Sequence, residues 1–311
     1  MKRIVVWLNI LTLSVLLLQS CNKRVVNPPD ETLPDSSRIQ VPRFGGDDSL
    51  EIAAWNIEWF PKRGTTTVND VAEIMRDLDI DLYAMEEIAD TSAFRKLLNE
   101  LDDYDGYYSS DIYSFGEYQK TAIVYRKGFI QVSEVKNIFE NDGYAFPRPP
   151  LQAYIVAQRN GKRFDFHFIV VHLKASGGSE NEARRRAACQ KLESYIRSRI
   201  AAGDDPDWIV AGDWNDELTD SEDHNVFKVF LDYPQDYTFL TWGIAQNPVE
   251  NATYIGGSYR SVIDHILVTA HVLPFYNSGI TTVLKIDQYF PAYVAEVSDH
   301  RPVAAIFPIF R

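Results

Sequence analysis

The chain has 311 residues, of which 45% are hydrophobic and 24% charged, and its formal net charge is −13. This is the composition of a globular protein, long enough for one large domain or two small ones. The excess of acid argues against purely electrostatic binding of nucleic acid or anionic lipid. It leaves room for a locally positive cleft or for recruited divalent cations.

The first twenty residues have the pattern of a secretory signal peptide. Lys2 and Arg3 precede an apolar run over residues 4–18, which is shorter than the roughly 20 residues of a membrane-spanning helix. Leu-Gln-Ser then precedes Cys21, and this order resembles the lipobox of bacterial lipoproteins. We expect residues 1–20 to be removed and Cys21 to become the lipidated N-terminus of an exported, membrane-anchored protein. A plain secretory signal is the alternative, and Asn22 in place of Asp favours the outer membrane over the inner one.

Residues 22–49 are rich in Pro, Asp and Ser and have no apolar period. Together with Cys21 they predict a flexible tether over residues 21–49, with ends roughly 30 Å apart. The catalytic domain is therefore expected over residues 50–311. The other cysteine of the chain, Cys189, falls in a predicted helix, so a lipidated Cys21 leaves no disulfide within the chain.

From residue 51 onward, predicted strands and helices intermix. The first four elements are a strand at Glu51–Asn56, a helix at Val68–Leu78, a strand at Asp81–Met85 and a helix at Thr91–Leu101. Further strands are predicted at Ala122–Tyr125, Ile130–Val135, Leu151–Ala157, Phe164–His172, Trp208–Ala211, Val262–Val268 and Val303–Phe307. The longest helix is predicted over Ser179–Ile200, where Ser179 and Glu182 have the spacing of a capping box. This mixture predicts an α/β (α+β) fold of two mixed β-sheets with helices outside.

Six of the apolar runs have an acidic, amide or imidazole side chain near one end. These side chains are Asn56, Glu86 and Glu87, His172, Asp213 and Asn215, Asp264 and His265, and Asp299 and His300. Because a scaffold presents catalytic groups at strand ends along one rim, we expect them to converge. Carboxylates and an Asn carbonyl suit Mg²⁺, Mn²⁺ or Ca²⁺, and histidines with acidic partners suit acid–base catalysis near neutral pH. This set predicts attack of water on phosphorus.

Two other kinds of chemistry lack their usual sequence signals. The chain has no Gly-rich phosphate loop followed by Lys, which argues against nucleotide-driven chemistry, and its two Gly-Gly-Ser segments are typical of turns. It also has no Ser in a nucleophile elbow, which argues against a serine hydrolase.

Six segments carry a family resemblance: WNIEWF, LYAMEEI, VVHLKAS, VAGDWND, SVIDHILV and SDHRPVAAIF. In this order and spacing they resemble the endonuclease/exonuclease/phosphatase family, which includes deoxyribonuclease I, exonuclease III-like repair nucleases, inositol polyphosphate phosphatases and neutral sphingomyelinases. The resemblance covers residues 50–311. It implies a four-layer sandwich, with the two sheets packed face to face, and a Mg²⁺-dependent phosphoesterase.

The resemblance also implies a role for each motif residue. Asn56, Glu87 and Asp299 are assigned to the metal, Asp213 to the attacking water, Asn215 to the phosphate, His172 and His300 to catalysis, and Asp264 to His300 as its partner. His172 is expected to be the acid for the leaving oxygen. Glu86 is expected to be a solvated neighbour of Glu87, and His265 a packed bystander.

Some residues near the motifs keep two interpretations. FPRPPLQAYI resembles a segment of deoxyribonuclease I in which Arg148 would contact a substrate phosphate. The Glu that supports the first catalytic His in that enzyme is matched here by Gln119, or by Glu117 if the register slips. The run Arg184–Arg186 is expected to be mostly solvated. Trp55, Trp59, Trp214 and Trp242 either stack on bases or pack against the motif strands.

The leading hypothesis is an exported, divalent-metal-dependent phosphodiester hydrolase that cleaves DNA or RNA by His-assisted in-line attack of water. Its expected partners are nucleic acid or another phosphodiester, and the membrane through the lipid; no protein partner is implied. The alternatives are a sphingomyelinase-type phospholipid phosphodiesterase, a phosphomonoesterase and a catalytically inactive binding lipoprotein. The last predicts loss of a metal or His position, and none is lost here.

Overall fold

The computed structural model describes residues 38–111 and 119–310. The predicted signal peptide, Cys21 and Glu117 lie outside these ranges. Among the helices within them, none has the length and apolar character needed to cross a bilayer.

The described residues form two six-stranded sheets. The first contains β1 (Leu50–Phe60), β2 (Leu82–Ile88), β3 (Tyr104–Tyr108), β4 (Lys120–Arg126), β11 (Ile280–Val283) and β12 (Val303–Phe307), in the spatial order β11-β12-β1-β2-β4-β3. The second contains β5 (Ile130–Asn137), β6 (Leu151–Arg159), β7 (Lys162–His172), β8 (Trp208–Asp213), β9 (Tyr237–Phe239) and β10 (Asp264–Thr269), in the order β5-β6-β7-β8-β10-β9. Each sheet is mixed, because β1–β2 and β7–β8 pair in parallel and their other neighbours are antiparallel.

Three long helices and several short ones complete the fold. The long helices are α1 (Thr65–Leu78), α2 (Thr91–Glu100) and α3 (Ser179–Ala201). The short ones are α4 (Lys228–Leu231), α5 (Trp242–Ala245), α6 (Pro248–Asn251), α7 (Leu273–Tyr276) and α8 (Tyr293–Glu296), with 3₁₀ turns at Ala270–Val272 and Ile286–Gln288.

Apolar side chains fill three separate interfaces. On β1, Ile52 and Ala54 belong to the cluster between the two sheets, while Ala53 and Trp55 belong to the cluster under α1 and α2. A third cluster joins the outer face of the second sheet to α3. Because successive strand residues point to opposite faces, a strand buried on both sides is apolar throughout. The predicted four-layer sandwich of two face-to-face sheets with helices outside is confirmed.

Packing within the described domain extends to Arg38, on the N-terminal side of the boundary predicted at residue 50. Residues 38–49, assigned to the tether, lie along α1: the Ile39 amide donates to Glu73 Oε1 (3.1 Å) and the Val41 amide to Asp77 Oδ2 (2.8 Å). Ile39 is fully buried. The sequence did not predict this packing, because polar residues surround the few apolar residues of the segment.

The predicted capping box at the start of α3 is wrong. Ser179 is the first helical residue and Gly178 occupies the N-cap, with no side-chain cap bond. Glu182 instead accepts from Arg186 Nη2 (2.7 Å) and lies 3.0 Å from His224 Nδ1. Its carboxylate therefore joins the helix to the loop before α4.

A buried acid lies at the start of β1. Glu51 is fully buried, its Oε1 accepts from Ser49 Oγ and the Gly46 amide, and its Oε2 has no partner among the described residues. Burial, with the neighbouring Asp81, raises the pKa of Glu51 to about 9. At neutral pH the native state therefore keeps a proton on Glu51. The unfolded chain releases this proton, because the ordinary pKa of the group is 4.5.

We expect Glu51→Gln to stabilise the protein at neutral and alkaline pH. Because the native state binds this proton more tightly than the unfolded chain does, the proton stabilises the fold fully below pH 4.5. This stabilisation is lost as the pH rises through about 9. The variant keeps the shape of the acid without its titration. Its Tm should match that of the wild type near pH 4 and exceed it increasingly toward pH 9, by roughly 3 kcal/mol in unfolding free energy at pH 7. Glu140→Gln, at an exposed position, is the control; the same pH trend in both variants would contradict this account.

Candidate active site

The strand register brings the polar strand ends together. In the second sheet, His172 of β7 pairs with Asp213 of β8, and Asp264 of β10 pairs with the same Asp213 from the other side. In the first sheet, Asn56 of β1 pairs with Glu86 of β2. Both sheets therefore contribute to one cleft of about 590 Å³, whose walls include Glu58, Trp59, Glu87, His172, Asp213, Asn215, Asp299 and His300.

A bulge in β2 separates the two adjacent glutamates. The pairing register shifts between Met85 and Ile88, and Glu87 has a φ of 64°, so Glu87 reaches the cleft. Glu86 is fully buried instead, and neither of its carboxyl oxygens has a partner among the described residues. The prediction of a solvated Glu86 is wrong. Burial, followed by Asp264 and Asp213, raises the pKa of Glu86 well above the usual range, which favours the neutral acid.

Gly212 makes room for this buried acid. A Cβ at this position would lie 2.1 Å from the Val171 carbonyl oxygen and 2.9 Å from Glu86 Oε1, and the residue has a φ of 143°. Glycine is therefore required where β7, β8 and the Glu86 side chain meet.

Asn56 connects the acids of the two sheets. Its Nδ2 donates to Asp213 Oδ2 (3.1 Å) and faces Glu87 Oε1 (3.3 Å), while its Oδ1 accepts the Glu58 amide (3.0 Å). The amide nitrogen, not the oxygen, thus faces the carboxylates. Asn56 is therefore hydrogen-bonded to both Glu87 and Asp213, and its expected part in holding the metal stays a prediction.

Glu58 is a site residue that sequence reasoning missed. Its Oε2 accepts the Asp299 amide (2.8 Å) and pairs with Lys62 Nζ. Ser298 Oγ donates to the Asn56 carbonyl (2.6 Å), so two contacts hold the turn before β12 against the end of β1. The available signal was an acid two residues after Asn56 in the same motif. Burial, with Glu58 and Glu87, raises the pKa of Asp299 to about 6, although His300 opposes the shift.

His300 is paired with Asp264, as expected, and not with its neighbour Asp299. Its Nδ1 lies 2.9 and 3.2 Å from the two Asp264 oxygens, while Nε2 lies 3.9 Å from Asp299 Oδ1 and 4.0 Å from Asp213 Oδ2. Burial alone disfavours the imidazolium, but Asp264 outweighs it and raises the pKa of His300 to about 10. The ring is therefore held protonated, with Nε2 toward the acids of the cleft.

His172 is neutral by contrast. Its Nε2 lies 3.5 Å from Asp213 Oδ2 and 3.8 Å from Glu87 Oε1, but its buried Nδ1 has no partner among the described residues. Burial, then Arg148 and His300, lowers the pKa of His172 well below its usual value. This environment favours the neutral imidazole, and the acid role expected for His172 stays a prediction.

Gln119 contacts Arg148, not His172. Arg148 Nε and Nη2 both donate to Gln119 Oε1, the former at 3.0 Å. The Leu173 carbonyl accepts from Arg148 Nη1 (3.2 Å) and Asn215 Nδ2 (3.3 Å), which places the two predicted phosphate-binding residues side by side. Asn215 lines the cleft, whereas Arg148 is not among the described residues that form its walls.

Two further residues lie beside the cleft. His265 is buried, with Nδ1 3.1 Å from Thr241 Oγ1 and Nε2 3.0 Å from the Asp216 carbonyl, and burial lowers its pKa to about 4. It is packed as the sequence predicted. Arg185 belongs to the run expected to be mostly solvated, but it is buried, lines the cleft and donates Nε to Asp216 Oδ2 (2.7 Å).

Two groups of side chains offer ligands to a divalent cation. Asp213, Asp264 and His300 have ligand atoms within 4.8 Å of one another, but both Asp264 oxygens contact the His300 ring. Glu87 and Asp299 face the cleft, and Glu58 joins them at its wall. Because carboxylates gathered at a half-buried wall repel one another, they fit a hard cation. The second group is the better fit.

We expect Glu87→Gln and Glu86→Gln to behave differently. Glu87→Gln removes a charge that faces the cleft and should weaken Mg²⁺ or Mn²⁺ binding about ten-fold or more, seen as a smaller metal-induced rise in Tm. Glu86→Gln replaces a neutral acid by an amide of the same shape, so its metal response should match that of the wild type. A weaker response in Glu86→Gln alone would reverse the two roles.

The chain is similar to one sequence family and to several solved structures. Residues 53–300 match the Endonuclease/Exonuclease/phosphatase family. A search of curated proteins found no match. The human Nocturnin catalytic domain with bound sulfate anion shares 18% identity at a TM-score of 0.57, covering 86% of this chain and 95% of that one.

Two further structures share the fold. A mannosyl-6-phosphatase of Bacteroides thetaiotaomicron shares 16% identity at a TM-score of 0.56, covering 83% of this chain and 98% of that one. Truncated TDP2 of Caenorhabditis elegans shares 17% identity at a TM-score of 0.57, covering 83% and 97%. At these identities the likeness is one of fold, and the sequence match carries the assignment. The chain belongs to the endonuclease/exonuclease/phosphatase family of phosphoester hydrolases.

Proposed function

We propose that the protein is a divalent-metal-dependent phosphodiester hydrolase, and that it cleaves nucleic acid or its fragments. One observation carries this proposal: the Nε2 atoms of His172 and His300 lie 3.5 and 4.0 Å from the same Asp213 oxygen, beside the carboxylates of Glu87 and Asp299. Two imidazoles around one carboxylate, next to a cation-binding wall, suit hydrolysis at phosphorus.

Glu87 and Asp299 would hold the cation. When bound, a divalent metal neutralises charge on the phosphate and polarises its oxygens. Asn56 keeps Glu87 and Asp213 in place through its amide nitrogen.

The His300–Asp264 pair is the proposed site of proton transfer. Asp264 holds the Nδ1 side of the ring, so Nε2 is the atom that exchanges a proton in the cleft. Asp213, whose Oδ2 lies between the two imidazoles, is placed to orient a water molecule. His172, as a neutral imidazole, would donate its Nε2 proton in a hydrogen bond to a phosphate oxygen.

Asn215 is the proposed phosphate ligand in the cleft. It shares the Leu173 carbonyl with Arg148, so the guanidinium lies behind Asn215 and adds positive charge there. Arg148 would then act mainly by fixing this edge of the site.

A smaller phosphoester, including a phosphomonoester, is the second candidate. The cleft is also lined by Asp216, Glu217 and Asp220; Arg185 is paired with Asp216, and the remaining acid opposes a long polyanion. The net charge of −13 acts in the same direction. Substrate length therefore has to be tested directly.

We expect metal-dependent turnover of at least one phosphodiester by residues 38–311. The substrates are plasmid DNA, single-stranded RNA, sphingomyelin vesicles, bis-p-nitrophenyl phosphate and p-nitrophenyl phosphate, each with Mg²⁺ or Mn²⁺ and with EDTA. His300→Ala and His172→Ala should each lower kcat at least 100-fold, since each removes a proposed reacting group. His265→Ala is the control and should keep most of the activity.

The outcomes separate the candidates. Nicking of plasmid that EDTA abolishes would support a nuclease, whereas cleavage of the monoester alone would favour a phosphatase. Near-normal activity of either His300→Ala or His172→Ala would remove that residue from the mechanism.

We also propose that the enzyme acts outside the cytoplasm as a lipoprotein, on the pattern of residues 1–21. In a bacterial host, full-length protein should fractionate with membranes, and Cys21→Ser should shift it to the soluble exported fraction with unchanged activity. A wild-type protein that is soluble and carries no lipid by mass spectrometry would contradict the proposal.

A further inference from the structure

The described tryptophans fall into two groups. Trp55, Trp208 and Trp214 are fully buried, whereas Trp59 and Trp242 are 46% and 45% exposed. Of these two, only Trp59 is among the described residues that line the catalytic cleft. An exposed ring of this size at the cleft wall is an unused apolar surface beside the proposed reacting groups.

The backbone fixes Trp59 in this position. Glu58 and Trp59 have φ values of 37° and 49°, which non-glycine residues seldom adopt, and the pairing of β1 with β2 shifts register between Asn56 and Phe60. The Trp59 amide donates to Glu87 Oε2 (2.9 Å). The same turn that supports the proposed metal ligand thus directs the Trp59 ring outward, while Phe60 returns to the core.

Two further aromatic side chains, Tyr254 and Tyr259, line the same cleft. Tyr254 packs edge-on against the His300 ring, with centroids 5.1 Å apart, and its own ring lies 6.1 Å from that of Tyr259. Tyr259 is 61% exposed, and its hydroxyl lies 3.3 Å from Glu217 Oε1. The cleft lining therefore combines three aromatic side chains with acids, and one of these acids, Glu217, contacts Tyr259.

This combination of aromatic side chains and acids favours a substrate that has a planar ring next to its phosphate. Exposed aromatic faces bind planar rings by stacking, which is sequence-tolerant because every base has such a face. The acids Glu217 and Asp220 repel additional phosphates but accept hydrogen bonds from hydroxyl and amino groups. A nucleoside has the ring and these donors, and one nucleoside monophosphate ester suits a cleft of about 590 Å³.

We propose, on the basis of the proposed function, that Trp59 is a substrate-binding residue that stacks on the nucleobase of a short nucleotide ester. Tyr259 lines the same cleft, and the acids Glu217 and Asp220 favour one or a few nucleotides over a long duplex. The specificity of the site then depends on the nucleoside, not on the sugar–phosphate backbone of a long nucleic acid.

The test compares two esters that share a leaving group and differ in the nucleoside: thymidine 5′-(p-nitrophenyl phosphate) and methyl p-nitrophenyl phosphate. Trp59→Ala should lower kcat/KM for the thymidine ester roughly ten-fold, mainly through KM, because one stacked base is lost. It should change kcat/KM for the methyl ester less than two-fold or so. Trp59→Phe, which keeps an aromatic face, should retain most of the preference for thymidine.

Trp242→Ala is the matched control, because Trp242 has the same side chain and almost the same exposure outside the cleft lining. An equal loss on both esters in Trp59→Ala, no loss on either, or the same selective loss in Trp242→Ala would overturn the assignment of Trp59. Wild-type protein that cleaves plasmid DNA or RNA but neither ester would also overturn it, whereas wild-type protein that hydrolyses no phosphodiester with Mg²⁺ or Mn²⁺ would overturn the proposed phosphodiesterase function. The two failures are therefore distinguishable.

Discussion

The row formed by His172, Asp213 and Asp264 across β7, β8 and β10 is the constraint on which the site depends. The register of these three strands is set by the apolar residues that fill both faces of the second sheet. A slip of one residue in β8 would turn its side chains to the opposite faces and move Asp213 out of the row. Core packing at Ile209 and Ala211 thus fixes the position of the Asp213 carboxylate, although burial of that carboxylate is itself unfavourable.

The site concentrates acid where water is scarce. Glu86, Asp213 and Asp264 are all buried, yet only Asp264 has an imidazole within hydrogen-bonding distance to compensate it. Glu86 avoids the cost of a buried charge by favouring its neutral form. Glu87 and Asp299, which are less buried, remain the acids that a cation can reach. These acids therefore lie in three different environments. Glu86 favours its neutral form, Asp264 is paired with His300, and Glu87 and Asp299 face the cleft.

The sequence was most informative where one physical requirement governs a long segment. Runs such as Phe164–His172 are apolar because both faces of the strand are buried, so their existence and their polar ends could be predicted. Short strands were missed: β3 contains Asp105 and Gly106 and pairs with a single neighbour, so no apolar period marks it. The packing of residues 38–49 was missed because three apolar residues, Ile39, Val41 and Phe44, are separated by polar ones.

The site residues were predictable by type but not always by environment. The Asp264–His300 pairing followed from the family resemblance, whereas the burial of Glu86 depends on a bulge that the letters Glu-Glu do not reveal. The neutral state of His172 likewise depends on three-dimensional burial and on Arg148, a residue 24 positions away in sequence. Burial and long-range charge are properties of the assembled fold, so a motif alone cannot supply them.

The surroundings of the reacting groups bear on substrate choice more than the reacting groups do. The imidazoles and carboxylates of the cleft are compatible with any phosphoester, whereas its walls are not electrostatically neutral: Asp216, Glu217 and Asp220 oppose an extended polyanion. The Asp216 charge is compensated by Arg185, at 2.7 Å, and burial, with Asp216 and Glu217, raises the pKa of Asp220 to about 7. The net negative charge of the wall therefore comes from Glu217 and the ionised fraction of Asp220. The ligand proposed above, with one phosphate at the histidines and a neutral ring against Trp59, would meet these surfaces with matching chemistry. A long duplex would meet the same wall with phosphates, which is why substrate length and ring content are the variables on which the function of this protein depends.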